Sequence, residues 1–223
     1  MGFFLTMDEE KKKFISSLTP PLAFVVLMWI IKLLEVIFSI DLGRFGIYPK
    51  TSQGLIGIIT APLVHADFNH LLSNSLPLLL LGTGLIYFYK SASFKIIAYI
   101  YLFTGTAVWL FARQSYHIGA SGIVYGLASF LFFSGLIRRD TRSIALSLIV
   151  TFLYGGIIWG LLPLKNGISW ESHLAGAVSG ILASVIFRKH DPPKKYDWED
   201  DDDYDPNEKP EISYKKGYPF DQQ

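Results

Sequence analysis

The chain has 223 residues, 51% hydrophobic and only 17% charged, with a mean hydropathy of +0.35; a soluble domain of this length carries nearer a quarter charged residues. A formal net charge of +1, with no basic patch interleaved with aromatics, offers no surface for nucleic acid, and the absence of cysteine excludes disulfides, thiolate chemistry and a cysteine-based metal site. The few charges collect at the ends and in short connectors, which is the pattern of a polytopic helical membrane protein.

The N-terminal segment, 1–18, contains Asp8-Glu9-Glu10-Lys11-Lys12-Lys13. That run is too charged for a cleavable signal peptide, so the first spanning helix is expected to stay as an anchor. Apolar windows of about twenty residues, enough to cross about 30 Å of hydrocarbon, fall at 20–40, 70–89, 94–112, 119–137, 143–162 and 171–188. The expectation is an all-α polytopic membrane protein with six spans over 19–190. Within the first window Lys32 and Glu35 lie three apart on one helical face; an intramembrane ionisable pair is a functional candidate, and a structural ion pair is the favoured reading. The connection at 41–69 is long, rich in Gly and Pro and partly apolar (Leu55-Ile56-Gly57-Ile58-Ile59); it is too interrupted to span and is expected in the membrane interface. The later connectors are short.

Lys and Arg placement orients the chain. With the N-terminus inside, the cytoplasmic segments hold Lys11, Lys12, Lys13, Lys90, Lys95, Arg138, Arg139, Arg142, Arg188, Lys189, Lys194 and Lys195, against Arg44, Lys50, Arg113 and Lys165 opposite. Both termini are therefore expected in the cytoplasm. Residues 191–223, with the run Glu199-Asp200-Asp201-Asp202-Asp203, read as a disordered acidic cytoplasmic tail, most simply a solvated tail of no specific role, with recruitment of a cytoplasmic partner as the alternative.

Three polar clusters fall at one depth, the extracytoplasmic ends of their spans. Gly119-Ala120-Ser121-Gly122, with Gly126 after it, offers a hydroxyl beside a small-residue face that also suits close helix packing. His173 is followed at +3 and +7 by Gly176 and Gly180, which keep to its helical face. Two glycine-lined faces bring backbones close enough for a hydroxyl to meet an imidazole, the equipment of nucleophilic hydrolysis. His70 and Asn74, four apart, present N–H donors that, with the Ser121 backbone N–H, suit a developing oxyanion; closing a helix start is their plainer role. Asp67 and Glu171 lie at the same membrane face, but Glu171 is two residues from His173 and so projects elsewhere. A Ser–His dyad is the favoured reading, with Tyr125, one turn below Ser121, as the candidate aromatic neighbour of the imidazole in place of a carboxylate; a packed aromatic of the membrane core is its equally open role.

These motifs, His70-x-x-x-Asn74, Gly119-x-Ser121-Gly122 with Tyr125, and His173-x-x-Gly176-x-x-x-Gly180, together resemble the rhomboid family of intramembrane serine proteases, over roughly residues 20–190. The resemblance implies a six-helix bundle, a water-filled cavity opening outward and a partly embedded first loop that braces the bundle. It implies Ser121 as nucleophile, His173 as general base and acid, an oxyanion hole from His70, Asn74 and the Ser121 amide, and Tyr125 stacked on the imidazole. Substrates would be transmembrane proteins in the lipid bilayer, with no metal or organic cofactor. His65 would have a supporting role. The Trp-Arg pair that many bacterial rhomboids carry in the first loop is missing; Arg44-Phe45 is a loose substitute, which leaves the bracing contacts open. A catalytically silent relative acting in binding or quality control, and a small transporter, are the rival readings.

Overall fold

The computed structural model describes residues 2–139, 141–154, 160–162 and 169–191; the expected tail lies outside them apart from Asp191. The described residues form seven α-helices: α1 (Gly2–Ile37), α2 (Gly57–Thr60), α3 (Phe68–Phe88), α4 (Ser93–Phe111), α5 (Ser121–Arg138), α6 (Thr141–Tyr154) and α7 (Trp170–Ile186). Four helical stretches are long and apolar enough to cross a membrane: Asp8–Ile37, Phe68–Phe88, Ser93–Phe111 and Ser121–Arg138. The expected fifth span, 143–162, falls partly outside the described residues, and α7, at 17 residues, is short for a span. The fold is an all-helical polytopic bundle.

The first helix extends well beyond the apolar window expected at 20–40. It starts at Gly2 and ends at Ile37. The charged run that excludes Asp8–Lys13 from the hydrocarbon consists of good helix formers, with Glu9 and Lys13 at the favourable i,i+4 spacing. Lipid preference and helix preference part company there. The helix passes through Pro20 and Pro21, which leaves the carbonyls of Ser16 and Ser17 without their usual donors. Beyond Ile37 the chain turns at Ser39, whose φ is +51°.

Helix α5 is the centre of the bundle. Most of its positions from Gly122 to Leu131 are buried around the whole circumference, as expected of a helix surrounded by neighbours rather than lying on a surface. Phe130 and Leu131 meet Met28 of α1, Leu71 and Leu85 of α3, and Ile96 and Ile100 of α4 in one continuous core. Apolar side chains such as Leu72, Leu76, Leu148 and Phe152 point outward, the arrangement expected where the solvent is lipid. Polar ties cross between helices: Trp29 Nε1 donates to Ser75 Oγ (3.0 Å), Tyr89 bonds Ser134 (3.0 Å) and Thr104 bonds Ser179 (3.1 Å).

The first loop is built of 3₁₀ turns at Gly43–Phe45, Gln53–Leu55 and Ala61–Leu63 around the short α2. Arg44 lies over the Phe45 ring at 5.4 Å, but the ties to the bundle come from elsewhere. Ile47 and His117 exchange both backbone hydrogen bonds at 2.9 Å, Trp109 Nε1 donates to Thr51 O (2.9 Å), and the Tyr101 hydroxyl donates to Ile59 O. At the opposite end, Asp191 accepts from the Ser91 and Ala92 amides (2.8 and 3.1 Å), a cap for α4 that its own N-cap residue, Ala92, cannot provide.

Candidate active site

Ser121 is the first residue of α5, and the chain reaches it through a turn that only glycine allows. Gly119 has φ +100°, and its amide donates to Ala61 O at 2.8 Å. A Cβ at Gly119 would also sit 2.7 Å from His70 Nε2, so the residue is glycine both for its backbone and for the imidazole resting on it. This brings the His70 ring against the peptide entering α5. As first residue of a helix, Ser121 has an amide with no intrahelical acceptor.

His173 lies on the first turn of α7, which Ser169 caps through the Ser172 amide (3.3 Å). Its Nε2 lies 2.9 Å from Ser121 Oγ and its Nδ1 lies 2.8 Å from the carbonyl oxygen of Gly160. A carbonyl only accepts, so Nδ1 carries the hydrogen and Nε2 presents a lone pair to the serine O–H. That is the tautomer a base requires. Tyr125 stacks on the imidazole at 4.2 Å between centroids and 6° between planes. The Gly160 contact was not legible in the sequence, because a backbone carbonyl can come from any residue type.

Close approach of α5 and α7 depends on alternating glycines. A Cβ on Gly176 would fall 2.0 Å from Gly122 O, and one on Gly180 would fall 2.1 Å from Gly126 O. Backbone cannot move aside as a side chain can, so these positions set the interhelical distance that joins hydroxyl to imidazole.

Above the pair opens a cavity of about 760 Å³, lined among others by Asp67, His70, Asn74, Ser121, Tyr125 and His173. Asn74 is buried, and its Nδ2 donates one hydrogen to His70 O at 2.9 Å, leaving its second. Asp67 caps α3 by accepting from the His70 amide at 2.8 Å, and this bond holds its carboxyl below the usual carboxylate range. Glu171 pairs with Arg113 at 3.3 Å and does not reach the imidazole.

Two histidines outside the spans complete the surroundings. His65 is 1% exposed; burial, then the neighbouring His70, lowers its pKa to about 4, and its Nε2 accepts from the Ala120 amide at 3.4 Å. The sequence reading missed His117 altogether. Its Nε2 donates to Arg113 O (3.0 Å), so Nδ1 accepts from Ser169 Oγ (2.5 Å), which in turn meets Ser172 Oγ (2.6 Å). Burial lowers its pKa. This chain ties the segment entering α5 to the cap of α7; only the adjacency of His117 to the Gly119-x-Ser121 motif could have drawn attention to it.

Among the described residues no cluster of His, Cys, Asp and Glu could hold a metal ion. The described polar groups can supply a base-activated hydroxyl and N–H donors at the floor of this cavity.

The comparisons agree with this architecture. The model of the Rhomboid domain matches residues 52–190. An uncharacterized protein of Mycobacterium tuberculosis is 35% identical over 190 residues, 81% of this chain and 79% of its own. One of Mycobacterium leprae is 33% identical over 174 residues, 74% of this chain and 69% of its own. A Bacillus subtilis protein named as a candidate rhomboid protease is 29% identical over 132 residues, 58% of this chain and 65% of its own. A family match across more than half of a helical membrane bundle leaves one assignment: the chain belongs to the rhomboid family.

Proposed function

We propose that this protein is an intramembrane serine endopeptidase that cuts peptide bonds in or near the transmembrane segments of other membrane proteins. The observation that carries the reading is the 2.9 Å approach of Ser121 Oγ to His173 Nε2, with Nδ1 engaged by Gly160, beneath a cavity wide enough for an unwound peptide. A polar pair of this kind among membrane helices is costly to keep and calls for a functional reason.

A substrate helix enters from the bilayer and unwinds locally near small or helix-destabilising residues. Ser121 attacks the scissile carbonyl as its proton passes to His173 Nε2. The tetrahedral oxyanion takes hydrogen bonds from the Ser121 amide, from His70 and from the Asn74 hydrogen not given to the His70 carbonyl. His173 then protonates the leaving amine, and water, activated by the same nitrogen, releases the acyl group. In place of a carboxylate, the Gly160 carbonyl and the Tyr125 face stabilise the transient imidazolium. The catalytic domain is 19–190, both termini face the cytoplasm, and the cavity opens on the other side, as the placement of Lys and Arg supports.

The test is cleavage of a transmembrane substrate by purified protein in liposomes, wild type beside Ser121→Ala. Cleavage by the wild type and none by the variant is expected, together with fluorophosphonate labelling of Ser121 in the wild type alone. Turnover retained in a folded Ser121→Ala protein would refute the assignment.

A further inference from the structure

Lys32 is a lysine inside a membrane-spanning helix, and a partner for its charge does not account for everything it touches. Its ammonium group, in a residue 8% exposed, makes three hydrogen bonds: to Glu35 Oε2 at 2.7 Å, to the carbonyl of Ala66 at 2.9 Å and to the carbonyl of His65 at 3.0 Å. An ammonium has three hydrogens to donate, and all three are used. The other carboxylate oxygen, Glu35 Oε1, accepts from the Leu42 amide at 3.1 Å. Neutralising the lysine would need only the i,i+3 contact with Glu35. Instead one ion pair on α1 holds both ends of the first loop, Leu42 where it begins and His65-Ala66 where it closes.

The closing end is the part of the loop nearest the reaction. Ala66 lines the cavity and precedes Asp67, the cap of α3, one turn before His70. The His65 ring reaches across to the Ala120 amide, next to Ser121. A shift of the 65–66 carbonyls therefore moves the His70 side of the cleft and the peptide leading into Ser121 together. Lys32 itself does not line the cavity, so it acts through these residues.

We infer that Lys32 is a positioning residue for the proteolysis proposed above: with Glu35 it clasps the base of the first loop and sets the His70 side of the cleft against Ser121. The inference rests on the protease reading. It accounts for a charge pair kept inside a membrane helix, where translocon-based scales put an unpaired lysine among the most unfavourable residues.

The experiment uses full-length protein in liposomes with a transmembrane substrate. The variants are Lys32→Met and the double variant Lys32→Met with Glu35→Gln, which leaves no unpaired carboxylate behind. Melting temperature, kcat, KM and the rate of fluorophosphonate labelling at Ser121 are measured well below the melting transition. Displacement of an active-site group by about 1 Å costs on the order of 100-fold. Expected in the folded double variant is a kcat lower by roughly 10- to 100-fold, labelling slowed in parallel and KM within about twofold of wild type. A double variant that melts lower yet keeps wild-type kcat and labelling shows a purely structural pair and overturns the inference. If the double variant does not fold, Lys32→Arg decides: it keeps the charge but changes its reach, so a lower kcat at unchanged KM supports positioning, and an unchanged kcat overturns it. A wild type that neither cleaves nor labels refutes the protease reading itself and is recognised without any Lys32 variant.

Discussion

At the scale of single residues, the His173 ring is held on three sides, by Ser121 at Nε2, by the Gly160 carbonyl at Nδ1 and by the Tyr125 face. The carbonyl sets the tautomer and the stack sets the plane of the ring, so losing the stack should impair turnover more than binding. An aromatic pair contributes about 0.5–1.5 kcal/mol beyond its area. Tyr125→Leu is therefore expected to lower kcat by up to about tenfold, with KM little changed; steady-state kinetics on one substrate checks it. His65 bears on stability. Its pKa is lowered to about 4, so the unfolded chain takes up a proton near pH 6.5 while the folded protein resists it. Its contribution is therefore complete above about pH 6.5 and is lost as pH falls towards about 4. A shift of this size corresponds to about 3 kcal/mol, and His117, also lowered, acts in the same direction. The melting temperature in detergent should fall between about pH 7 and about pH 4.5, and less so in His65→Gln; an equal fall in both would refute the role of His65.

At the scale of elements, the α5–α7 contact decides whether serine and histidine meet, and it is made of backbone against backbone. A side chain at Gly180 would collide with Gly126 O, and nothing there can yield short of separating the helices. Overpacking of this kind costs about 1–3 kcal/mol or more. Gly180→Leu is expected to lower the melting temperature and to abolish fluorophosphonate labelling even where the protein stays folded. Gly84 on α3 is the contrast: its Cβ would meet Leu146 at an ordinary 3.8 Å. Gly84→Ala should be neutral or stabilising by roughly 0.5–1 kcal/mol, with labelling unchanged. The glycine pattern after His173 was legible in the sequence as a smooth helical face. Which carbonyl each glycine admits was not, because that depends on the register of two helices about fifty residues apart in the chain.

At the scale of the whole molecule, the proposed orientation rests on charge. The connectors after the third and fifth spans carry Arg113 and Lys165 on one side, while those after the second and fourth spans collect Lys90, Arg138, Arg139 and Arg142 on the other. With no cysteine in the chain, single introduced cysteines report sidedness without background. In intact cells an impermeant maleimide should label Gln114→Cys and leave Lys90→Cys unlabelled until the membrane is opened; the reverse pattern would invert the topology. Both positions lie on exposed connectors, so neither substitution disturbs the core.

The sequence by itself determined the helical membrane class and the family, because hydropathy, charge placement and motif order are properties of the chain read in one dimension. It also made Ser121, His173, His70 and Asn74 visible as polar side chains at matching depth. Only the tertiary structure decided which atoms meet: the Gly160 carbonyl at His173 Nδ1, the Ser169 hydroxyl at His117, and Lys32 on the carbonyls of His65 and Ala66. It also decided that α1 continues through Pro20-Pro21 into the charged segment, where helix preference holds although lipid preference has ended. The reason is common to all of these. Backbone carbonyls and amides carry no side-chain signature, and partners distant in the chain become neighbours only when packed helices fix their register.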